Sequence, residues 1–84
     1  MGHSIEYKPS AKKELDALSG DAQGRVLIAI GGLGENPRPP GCKKLKCRDE
    51  YRIRVGDYRV IYEIRGAVLV VLVVKVSHRS AAYR

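Results

Sequence analysis

A chain of 84 residues, 44% of them hydrophobic and 30% charged, has the composition of a folded protein with room for one core, so a single domain over residues 1–84 is expected. Its longest apolar run, Ala67 to Val74, falls far short of the roughly 20 residues of a membrane-spanning helix, and no basic-then-apolar leader opens it; neither a membrane-spanning role nor secretion is expected. Sixteen Lys and Arg against nine Asp and Glu leave a net charge of +7, which favours a polyanionic partner: nucleic acid, an anionic membrane surface or an acidic protein.

The excess is confined to one half. Residues 1–40 hold five basic and five acidic side chains, whereas residues 41–84 hold eleven basic and four acidic ones. General solubility would not require such a split.

In chain order, Ser4 to Lys8 alternates and reads as a short strand. Pro9 suits the first turn of a helix, where its missing N–H is no loss, and Ala11, Leu15 and Leu18 recur at helical spacing. Ser19-Gly20 is expected to end that helix and Asp21 to cap the next, whose buried stripe would be Val26, Leu27, Ile30 and Leu33. Gly24, Gly31 and Gly32 weaken its end. Gly34 to Gly41, with three prolines, is a loop between the neutral and basic halves. Cys42 and Cys47 lack the spacing and the nearby His of a zinc site, so reduced thiols and no metal are expected.

Beyond Lys43 the period changes to two. Strands at 51–55 and 58–64 flank Gly56-Asp57, a two-residue turn with Gly first, and 67–76 reads as a central strand covered on both faces. The expected class is α+β: an N-terminal strand and a helical hairpin packed on a mainly antiparallel, three- to four-stranded sheet.

The turn dictates the pairing, because residues opposite one another in an antiparallel ladder share a face. Tyr51, Ile53, Val55, Tyr58, Val60, Tyr62 and Ile64 then make a core surface. The other face gathers Arg52, Arg54 and Arg59, bordered by Ile61 and Glu63. A solvated strand face often carries such charges. Arg54 directly across from Arg59 is nevertheless repulsive unless an anion lies between them, and the guanidinium fork suits phosphate oxygens.

Taken together, Lys44-Leu-Lys46, Tyr51-Arg-Ile-Arg-Val-Gly-Asp-Tyr-Arg-Val-Ile-Tyr-Glu-Ile64, Val74-Lys-Val-Ser-His-Arg79 and Tyr83 resemble the RelE/ParE superfamily of bacterial toxin–antitoxin toxins, over nearly the whole chain. The resemblance implies a toxin held by a cognate antitoxin in a hetero-oligomer and acting in the cytoplasm without a cofactor. RelE-type members cleave messenger RNA on the ribosome, and ParE-type members inhibit DNA gyrase. Carried over by motif, Arg59, Arg79 and Tyr83 are the expected catalytic residues of an endoribonuclease. Lys44, Lys46, Arg52 and Arg54 are the expected RNA-binding residues, and His78 is an accessory candidate. The best-known RelE member has Lys where Arg52 and Arg54 stand, and a guanidinium that stays protonated is poorly suited to act as a general base. Three readings follow: a ribosome-dependent endoribonuclease, a gyrase inhibitor, and an inactive member of an antitoxin-bound regulatory complex.

Overall fold

The computed structural model describes residues 2–45 and 49–78. Strand β1, Ser4–Tyr7, leads into helix α1, Pro9–Asp16, with proline in its first turn as expected. Helix α2 spans Gly20–Glu35. Ser19, rather than Asp21, occupies the N-cap position in an extended conformation; Gly20 opens α2 instead of closing α1, and Asp21 sits in the first turn, where its charge complements the helix dipole.

The glycines in α2 do not cut it short. Val26, Ile30, Leu33 and Gly34 are buried, but Leu27, expected in the stripe, is 44% exposed and Ile28 is 78% exposed. Gly34 has a packing reason. A Cβ there would lie 3.0 Å from the His3 carbonyl oxygen, at the point where the His3 N–H donates to the Gly34 carbonyl.

The basic half builds the rest of one five-stranded sheet: β2, Lys43–Lys44; β3, Glu50–Val55; β4, Tyr58–Arg65; and β5, Val70–His78. The strand order is β1-β5-β4-β3-β2. All neighbours are antiparallel except β1 and β5: the helical hairpin carries the chain from β1 to β2 at the opposite edge, and the meander β2-β3-β4-β5 brings it back to lie parallel beside β1. The sheet exceeds the expected count because β2 has only two residues, too few for any period to announce it. The β3–β4 register agrees with the one read from the turn, Val55 opposite Tyr58 through Tyr51 opposite Tyr62, and Gly56 takes the positive φ of +59° that the turn demands.

Strand β5 departs from expectation. Gly66–Val68 is a single 3-10 turn and Leu69 adopts a left-handed φ of 53°, so the strand starts at Val70, later than residue 67, and continues to His78. Nor are both its faces covered. Val71, Val73 and Val76 are buried under the helices, whereas Val70, Leu72 and Val74 are only half-buried. A register shift lies between Ile61 and Tyr62, leaving Val74 as the extra residue of a bulge. The core is one cluster beneath the helices: Ala11 and Leu15 from α1, Val26, Ile30 and Leu33 from α2, and Ile53, Val60, Tyr62, Val71, Val73 and Val76 from the sheet.

Candidate functional site

The sheet face away from the helices carries the charge, and its layout follows from the ladder. Arg54 stands opposite Arg59, which in turn stands opposite Ser77 across β4 and β5. The next row on the same face runs Lys43, Arg52, Ile61, Lys75. Beyond it lie Glu50 opposite Glu63 and Glu63 opposite Leu72, followed by Arg65 opposite Val70, with Arg65 paired to Glu63 at 3.3 Å. Parallel pairing adds Glu6 beside Leu72. The face is therefore polar in the electrical sense: basic toward the Gly56-Asp57 turn and acidic toward the opposite end, with Ile61, Leu72 and Val70 as an apolar seam.

Three arginines on adjacent strands raise the local potential and present forked donors to a single ligand. Arg52 Nε is buried and has no hydrogen-bond partner among the described residues, a donor that an incoming anion would satisfy. Ser77, which no sequence pattern singled out, is buried in the same row as Arg59 and Arg54 and brings a hydroxyl to that row.

Not every expected site residue joins this face. Arg52, Arg54 and Arg59 come together. Lys44 does not: it is in register with Tyr51, and thus belongs to the helix side of the sheet, while its neighbour Lys43 pairs with Arg52 and falls among the arginines. His78 is in register with Tyr58 and meets its ring edge-on, centroids 5.3 Å apart, also on the helix side. Lys46, Arg79 and Tyr83 lie outside the described residues.

The tyrosines of β3 and β4 are structural, as expected. Tyr51 and Tyr62 stack with centroids 6.0 Å apart, the Arg38 guanidinium lies over Tyr51 at 5.2 Å, and the buried Tyr62 hydroxyl donates to the Pro37 carbonyl at 2.6 Å. Burial, followed by the adjoining Cys42 and Tyr51, pushes the Tyr62 hydroxyl well above the ordinary tyrosine value, with Arg38 opposing. These contacts hold the Pro-rich loop on the sheet, on the side away from the three arginines. Among the described residues there is no group of three or more His, Cys, Asp or Glu side chains able to hold a metal ion, and no helix is long and apolar enough to cross a membrane.

Comparison with known proteins bears on the same fold. A protein of Methanocaldococcus jannaschii that carries the name toxin RelE1 is 31% identical over 88 aligned positions, covering 100% of this chain and 98% of that one. The archaeal RelE of the RelE–RelB complex from Pyrococcus horikoshii superposes with a TM-score of 0.84 at 29% identity, over 94% of this chain and 97% of its own. The isolated RelE toxin of E. coli gives a TM-score of 0.82 at 25% identity, over 96% and 90% of the two chains. Residues 5–83 match the family described as ParE toxin of type II toxin–antitoxin system, parDE. A helical hairpin on a five-stranded sheet, with sequence similarity running from end to end, makes this chain a member of the RelE/ParE superfamily of toxin–antitoxin toxins.

Proposed function

We propose that the chain is a RelE-like endoribonuclease that cleaves messenger RNA on the ribosome, held inactive by a cognate antitoxin in a hetero-oligomer. The observation that carries the reading is the convergence of Arg52, Arg54 and Arg59 on the open sheet face, with Arg54 directly across from Arg59. A phosphate between those two offsets their repulsion, and the acidic rows at Glu50, Glu63 and Glu6 confine RNA phosphates to the hairpin end. The named relatives support the RelE branch.

Cleavage through the RNA's own ribose needs no metal. The 2′-oxygen attacks phosphorus, the bond to the 5′-oxygen breaks, and the products are a 2′,3′-cyclic phosphate and a 5′-hydroxyl. The proton lost from the 2′-hydroxyl is balanced by the one gained at the 5′-oxygen. Arg59 and Arg79 stabilise the extra charge on the crowded phosphorane, a task for fixed cations. Arg52, Arg54 and Lys43 hold the flanking phosphates, with Lys46 in the same basic segment. Tyr83 stacks on an exposed base, a contact of roughly 1–3 kcal/mol in single-strand binders. His78 takes no direct part in this scheme, since its register puts it on the other side of the sheet.

The antitoxin would cover the open face. Its acidic residues would meet the arginines, and its apolar side chains the seam of Ile61, Leu72 and Val70, because charge alone contributes little affinity. The site of action is then the cytoplasm. Co-expression with the neighbouring reading frame should relieve growth arrest; equal tolerance with and without that frame would count against the arrangement.

One observation favours a second reading, inhibition of DNA gyrase: the matching family is described by its ParE members. A translation reaction with mapped messenger-RNA ends, run beside a gyrase supercoiling assay, separates the two. New 5′-hydroxyl ends within codons support the ribonuclease. Intact message with blocked supercoiling would replace it by the gyrase inhibitor.

A further inference from the structure

Strand β1 stops short of the end of β5. Its ladder covers Ser4–Tyr7 against Val70–Val73, and the Lys8 N–H closes it on the Val73 carbonyl at 2.9 Å. Pro9 then turns the chain into α1, so beyond Val73 no strand among the described residues lies beside this edge of β5. A half-buried N–H on such an edge must find an acceptor or cost free energy. For Val76 the acceptor is Glu14 of α1. Its Oε1 accepts the Val76 N–H at 2.9 Å, and its Oε2 accepts from Lys75 Nζ at 3.3 Å.

The position of this contact matters more than its strength. It falls just past the bulge at Val74, where β5 has already slipped one residue against β4. The five residues leading into it, Val70 to Val74, are all apolar, so hydrophobic patterning there does not fix where the bulge falls or which register follows it. A further slip of one residue would exchange the faces of Val76 and Ser77. It would send Ser77 to the helix side and take it out of the row it shares with Arg59 and Arg54. The bond from a carboxylate to a single backbone N–H marks one register.

We propose that Glu14 is a positioning residue: where β1 no longer covers the edge, its carboxylate pins Val76 and so fixes the end of β5 that holds Ser77 beside Arg59. The catalytic consequence rests on the ribonuclease reading above; the anchoring itself does not. The exposed pair with Lys75 is secondary, as such pairs contribute little.

Two variants of the full chain divide the possibilities. Glu14→Gln keeps an oxygen able to accept the Val76 N–H and loses only the charge; Glu14→Ala loses both. Amide hydrogen exchange at Val76 should accelerate by roughly tenfold or more in Glu14→Ala and stay near wild type in Glu14→Gln. On programmed ribosomes, Glu14→Ala should lower the maximal single-turnover cleavage rate roughly ten- to hundredfold, as misplacement at a distance does, with the half-saturating ribosome concentration unchanged. Glu14→Gln should restore that rate. Undiminished protection of Val76 in Glu14→Ala would overturn the proposal, as would Glu14→Gln cleaving as slowly as Glu14→Ala. A wild-type chain that cleaves nothing would instead sink the ribonuclease reading, and exchange alone would then decide the role of Glu14.

Discussion

Arg54 and Arg59 face each other across β3 and β4, an arrangement that works against the empty sheet and in favour of a bound phosphate. A preorganised cation at a developing oxyanion commonly contributes about 3 kcal/mol, or roughly a hundredfold in rate. Arg59→Ala should therefore slow single-turnover cleavage by about that factor while ribosome binding stays near wild type, because ten basic residues of the C-terminal half remain to attract RNA. Full activity in Arg59→Ala would remove this arginine from the site. The three arginines were legible because a two-residue turn ties register to sequence with no free parameter. Lys43 and His78 were not, for different reasons. Strand β2 is a pair of lysines whose faces only its partner can assign, and the bulge at Val74 reverses the parity of everything after it, moving His78 to the Tyr58 side.

At the scale of elements, the same contrast separates what composition reveals from what packing decides. The helices and the β3–β4 hairpin have strong periods and came out close to expectation. Strand β5 is apolar at every position from Val70 to Val74, so neither its bulge nor its half-open face leaves a mark in the sequence there, and the fully covered strand suggested from residue 67 onward does not form. In α2 the exposed Leu27 and Ile28 show that apolar residues at helical spacing overstate the buried arc. Tyr62 joins elements that no local pattern connects: from β4 its hydroxyl donates to Pro37, pinning the loop between the two halves. Tyr62→Phe leaves that carbonyl without its partner and should cost about 1–2 kcal/mol in urea unfolding. A pH signature should accompany it. Burial, with Cys42 and Tyr51, raises this hydroxyl above its ordinary value of 10.0, so the folded chain holds the proton more tightly than the unfolded one. That contribution is complete below pH 10 and is lost as pH climbs toward the raised value. The fall in stability on the alkaline side should be shallower in Tyr62→Phe than in wild type, and identical slopes would contradict the assignment.

Over the whole molecule, the net charge of +7 resides in the half that builds β2 to β5, and the ladder then sorts part of it by face. Long-range attraction to RNA depends on the total, but release of counterions from RNA depends on which cations reach phosphates. Lys43 and Lys44 isolate that difference. They are adjacent, identical in charge and both exposed, yet Lys43 shares a row with Arg52 whereas Lys44 is in register with Tyr51 on the helix side. Alanine at either lowers the net charge equally, so a mechanism based on overall charge predicts equal losses of affinity. Contact on the open face predicts unequal ones. For a single strand, each phosphate contact contributes about 0.7 to the slope of log affinity against log salt, so Lys43→Ala should flatten that slope by about this amount and weaken binding most at low salt. Lys44→Ala should leave the slope unchanged. Titration of a fluorescent single-stranded RNA over a series of salt concentrations makes the measurement without requiring cleavage. Equal slopes in the two variants would mean that RNA does not read the open face, and a flatter slope in Lys44→Ala alone would move the binding surface to the helix side.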